Sequence, residues 1–160
     1  MPTPEYYDVF LARYTLAIQD PDTPGTRYHT GIFVVTSTHG SGVLHQVTGD
    51  VTSPGGMVYT PTSEPAPQES ECFHSVEKLG VTPATRYPGD WEEVLRGIPP
   101  PPQQKAFNVR TMRTEPFKSR EPLVFYEPGE ERKALVKCTE WTLERALPAL
   151  RAKGLIVDAE

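Results

Sequence analysis

Apolar positions recur along this chain at two different intervals, and the change from one to the other outlines the fold. "YYDVFLARYTLAI" and "RYHTGIFVVTS" combine aromatic and β-branched residues with partial alternation, the pattern of strands, the first expected around Asp8 to Ile18. "QDPDTPGT" between them is punctuated by Pro and Gly and reads as a loop. "THGSG" then turns the chain into "GVLHQVTG", so these neighbours are expected to pair as a hairpin. "GGMVYTP", "CFHSVEKLGV", "AFNVRTM" and "PLVFYEP" continue the strand-like signal. "PGDWEEVLRGIP" reads as a short helix with Asp90 as cap, Glu93 three residues on and Gly97 as stop. The end of the chain switches to helical spacing. From Val136 or Cys138 onward, Val136, Leu143, Ala146, Leu147 and Leu150 share one face. Pro148 has no amide hydrogen and predicts a break or kink there.

Two segments fit neither period. The stretch near 61–72, with "PTSEPAPQE", and the stretch near 97–104, with "IPPPPQQ", read as Pro-rich loops, the second an extended connector. Either could also present prolines to a protein partner. With 160 residues, one domain over 1–160 is expected, of α+β class, an antiparallel sheet packed against a C-terminal cysteine-bearing helix. No apolar stretch reaches the roughly 18 to 20 residues of a membrane helix, and the first residues lack a basic-then-apolar leader, so no membrane anchor is expected. Only two cysteines argue for a reducing, cytoplasmic setting rather than a disulfide scaffold. A net charge of −5 argues against a nucleic-acid surface.

The chemistry-bearing residues are few. Cys138 falls at the front of the closing helix, where free backbone amides favour a thiolate and could hold an oxyanion. His29 and His45 lie on the two hairpin strands at an even separation, so both imidazoles can face the same side. If pairing is symmetric about "STHGS", Thr36 opposes Gly42 and His45 opposes Phe33, which leaves the two histidines about 13 Å apart along the strand. Cys72 and His74 in "ECFH" are too few for a closed metal site, so neither metal nor cofactor is expected. "RTMRTEPFKSRE" gathers Arg110, Arg113, Lys118 and Arg120, either a solvated loop or a recognition point for a carboxylate or phosphate. Trp141 reads as a core or pocket-wall aromatic.

The order "YHTGIFVV", "GVLHQV", then "KCTEW" opening a helix resembles the circularly permuted papain-like thiol enzymes, the branch containing lecithin:retinol acyltransferase. The layout of "VFLARY", a histidine strand, a variable middle and a closing Cys-x-x-Trp helix also resembles a set of small fungal proteins. The resemblance implies Cys138 as nucleophile, His29 as general base and His45 as the residue orienting it; Trp141, Arg110 and Arg113 are candidates for substrate contact by residue type and charge alone. The same resemblance implies cysteine-dependent acyl transfer or hydrolysis, with hydrolase and transferase both open, while the lack of a basic or membrane-seeking surface favours a small soluble acyl donor. A non-catalytic binding module on the same fold is the alternative. Where those acyltransferases carry Asn-Cys-Glu-His-Phe, this chain has Lys137 before Cys138 and Thr139, Glu140 and Trp141 after it.

Overall fold

A computed structural model describes residues 4–159. Its centre is a five-stranded antiparallel sheet of β1 (Tyr6–Thr15), β2 (Tyr28–Val35), β3 (Gly42–His45), β6 (Thr62–Glu64) and β7 (Phe73–Pro83), in the order β6-β3-β2-β1-β7. Between β3 and β6 the chain makes a two-stranded ladder of β4 (Val47–Thr48) and β5 (Val58–Tyr59). A separate three-stranded sheet holds β8 (Lys105–Asn108), β9 (Arg113–Ser119) and β10 (Val124–Phe125).

Alternation along β1 and β2 gives the main sheet two unlike faces. Val9, Leu11, Ile32 and Val34 point to one face and bury against α1 (Gly89–Arg96) and the closing helix through Trp91, Leu95, Trp141, Ala146 and Leu150. Ala12, Phe33 and Leu44 point to the other and make a smaller cluster. The chain end is tied back by paired bonds between Val81 and Val157. There Gly80 adopts φ +146° at a bulge opposite Val9 and Phe10, and a Cβ on it would lie 2.1 Å from Val157 O.

The closing helix runs through α2 (Cys138–Glu140), a π-helical stretch (Trp141–Ala146) and α3 (Leu147–Ala152). Pro148 does not break it. Leu147 donates to Thr142 five residues back, whereas Lys153 donates to Ala149 four back, so the missing amide of Pro148 falls beside the change of ladder.

Other expectations are corrected in detail. β1 ends three residues earlier than its apolar pattern, because the exposed Leu16 and Ile18 already belong to the following loop. The 61–72 segment is not wholly loop, since β6 within it pairs with β3. Asp90 lies in the first turn of α1 and bonds Arg86, with Pro88 in the cap position and Gly97 closing the far end. Arg113 and Lys118 lie in β9, whose Pro116 opposes Lys105. No helix among the described residues is long and apolar enough to cross a membrane.

Candidate active site

Strand β2 runs further than its partner. β3 leaves the sheet after His45 opposite Ile32, so the amides and carbonyls of Tyr28 and Thr30 on that side have no strand to bond. The front of the closing helix fills the gap. Thr139 Oγ1 donates to Tyr28 O at 3.3 Å, Thr142 Oγ1 donates to Thr30 O at 3.3 Å, and Thr139 and Thr30 share a hydroxyl bond of 3.0 Å. Cys138 Sγ lies 3.8 Å from Tyr28 O and receives the Thr30 amide. The thiol therefore caps the open edge of a strand. From that edge it can reach a side chain on the sheet's outer face.

That side chain is His29, whose imidazole is near enough to the thiol for each group to shift the other's titration. Its Nε2 lies 2.5 Å from Gln46 Oε1, and Gln46 Nε2 donates to Thr62 Oγ1 at 3.0 Å. The second bond fixes which way the amide points, so its oxygen accepts the Nε2 proton. Nδ1 is left for Cys138. Gly31 between His29 and Phe33 has no room for a side chain, since a Cβ would meet Leu44 Cδ1 at 2.8 Å and His45 O at 3.1 Å.

The charges at the site reinforce one another. Burial pushes the Cys138 thiol up, but the His29 hydrogen bond, the Thr30 amide, the His29 charge and the Thr139 hydroxyl outweigh it, leaving the thiol below its ordinary value. The bond to Cys138 raises His29, burial opposes it, and Gln46 adds to the rise, for a net upward shift. The two groups titrate as a pair. Arg27 approaches from the loop before β2 and grips Glu140 through two bonds of 2.8 Å each. Glu140 also accepts the Lys137 amide at 2.8 Å, so one carboxylate holds the helix start and the loop together. Lys137 itself bonds Asp20, which also takes Lys105 at 2.9 Å.

His45 does not meet His29. The hairpin loop is one residue longer than in the symmetric pairing, with Val35 opposite Gly42 and Ile32 opposite His45. A shift of one residue sends a side chain to the other face. His45 is accordingly buried on the helical face, with Nδ1 2.6 Å from Tyr59 Oη and Nε2 2.8 Å from Tyr87 Oη. Burial lowers its pKa to about 3, so it is a neutral core group. Gln46, its neighbour, faces outward to His29; the correct register was the signal that would have found it. Trp141 is buried in the core, its ring stacked on Tyr59 at 6.0 Å. Arg110 lies exposed in the turn between β8 and β9 and Arg113 exposed at the start of β9, and Arg110 lines a separate cavity of about 840 Å³ beside β10. Among the described residues, no three His, Cys, Asp or Glu side chains converge as metal ligands.

The fold is thus an α+β one whose C-terminal helix carries Cys138 against an antiparallel sheet. Residues 11–157 match the model of a family described as "Family of unknown function (DUF6540)", and the chain belongs to that family. No curated protein and no solved structure matches it.

Proposed function

We propose that this protein is a permuted papain-like thiol enzyme that transfers or hydrolyses an acyl group through a covalent thioester on Cys138. The observation that carries the reading is the thiol at the helix front beside an imidazole whose far nitrogen is held by Gln46. Cys138 S⁻ attacks the carbonyl carbon. The oxygen, now negative, is held by free amides at the start of the closing helix. His29 gives its proton to the leaving atom, the carbon–leaving-group bond breaks, and the acyl group stays on sulfur. An incoming water, amine or alcohol then loses its proton to His29 as it attacks the thioester, and the thiolate returns. Gln46 orients the ring throughout. His45 serves the core instead, bridging two partly buried tyrosines.

The test is the rate of Cys138 alkylation by iodoacetamide against pH, in wild type and His29→Ala, each with Cys72→Ala. The expected midpoint lies well below about 8.5, the free-thiol value, and rises when His29 is removed. A midpoint at or above that value, indifferent to His29, would make Cys138 a structural residue and the protein a binding module.

A further inference from the structure

A second cavity, of about 310 Å³, opens on the outer side of His29. The Pro-rich segment after β6 roofs it, so the loop that carries little sequence signal is a wall of the site. Leu44, Pro65 and Pro67 line it with apolar surface, Tyr14 and Gln46 with polar atoms, and Glu64 supplies the one carboxylate. Glu64 is half-buried on β6 and, among the described residues, makes no ion pair and no side-chain hydrogen bond. The cations nearest the thiol are already engaged, Arg27 by Glu140 and Lys137 by Asp20. The carboxylate is therefore the uncompensated charge in this cavity.

A general acid must touch the atom that departs, so the leaving group lies on the imidazole's side of the carbonyl. The cavity is on that side. At the small end of ligand sites, it fits a fragment and not a whole drug-sized molecule. We infer that this cavity receives the substrate's leaving group and that Glu64 selects one bearing a positive charge, an ammonium or guanidinium. The inference rests on the acyl-transfer reading above. For an amide substrate, the carbon–sulfur bond forms first, and the carbon–nitrogen bond then breaks as the oxyanion collapses and the His29 proton goes to the departing nitrogen. The amine leaves through a pocket whose wall favours its charge.

Charged thiol reagents test this without knowing the substrate. Second-order rates at Cys138 would be measured, in a Cys72→Ser background, with methyl methanethiosulfonate and its 2-(trimethylammonium)ethyl and 2-sulfonatoethyl analogues. At about pH 9 any thiol reacts, so the ratios can be read whether or not His29 activates Cys138. The cation-to-neutral ratio is expected to exceed the anion-to-neutral ratio, and to fall about fivefold in Glu64→Gln, as a unit charge several ångströms away predicts at intermediate dielectric. Glu64→Lys should reverse the order. Ratios equal in wild type and both variants would overturn the inference. Loss of the low-pH midpoint in the iodoacetamide experiment would instead defeat the acyl-transfer reading, so the two failures are distinct.

Discussion

Gln46 and His45 are adjacent in the chain and face opposite sides of the sheet, the first bonded to His29 at 2.5 Å and the second enclosed by Tyr59 and Tyr87. One is placed to orient the His29 ring, and the other to hold a core together. Substituting them should therefore give different phenotypes.

Gln46→Ala removes the acceptor that favours a charged His29. A hydrogen bond to an ionised group contributes about 1.5–3 kcal/mol, equivalent to roughly 10- to 100-fold in a rate that depends on it. Cys138 alkylation near pH 6 should slow within that range and its midpoint should rise, while the melting temperature changes little. An unchanged pH profile would remove Gln46 from the site.

His45→Gln should act on stability and its pH dependence. The folded imidazole titrates at about 3, whereas the unfolded chain takes up that proton at about 6.5. A depressed histidine pKa means that acid favours the unfolded state. Wild type should lose up to about 1.4 kcal/mol per pH unit from this group as pH falls from about 6.5 towards 3, and the variant should lack that slope. Urea titrations of both proteins at pH 7, 6 and 5 measure the difference.

Arg27→Gln leaves Glu140 with its capping bond but without the guanidinium. Both side chains are about one-fifth exposed, so screening is partial, and a loss of about 1–2 kcal/mol is expected. Burial pushes the Glu140 carboxyl up, and Arg27 and the Lys137 amide bring it below its ordinary range. A depressed carboxyl pKa stabilises the fold above its unfolded value, and that contribution fades as pH falls through the folded one. The deficit of the variant should accordingly shrink in acid. Thermal melts at pH 7 and pH 3 give the comparison.

Gly80→Ala would place a Cβ against Val157 O at a φ that side chains rarely adopt. A cost of about 2–4 kcal/mol is expected, with the chain end detached from β7. Hydrogen exchange at the Val81 and Val157 amides should speed up together; continued protection of both would refute the account.

The sequence displayed the elements better than their joints. β2 and β3, α1 and the helical face of Leu143, Ala146, Leu147 and Leu150 follow from apolar spacing, because each is decided by which residues must leave water. The hairpin register was not legible. "THGSG" permits more than one closure, and moving Gly42 from Thr36 to Val35 turns His45 away from His29 and presents Gln46. β9 was hidden because charged residues and Pro116 dominate its sequence, although it is the central strand of its sheet. Cys138 and His29 stood out as reactive types, but their meeting depends on β3 ending before β2 does, which no local pattern records.

The thiol borrows its footing from the strand that carries the histidine. Tyr28 and Thr30, on either side of His29, are the residues to which the helix front is stitched. The proposed nucleophile and base are consequently anchored to the same strand. On the proposed reaction, changes in the proline-rich roof would alter what is admitted and how fast it departs. They would leave the bonds between the helix front and β2 as they are, so what the proposed site admits could change by editing a loop while Cys138 and His29 keep their common footing.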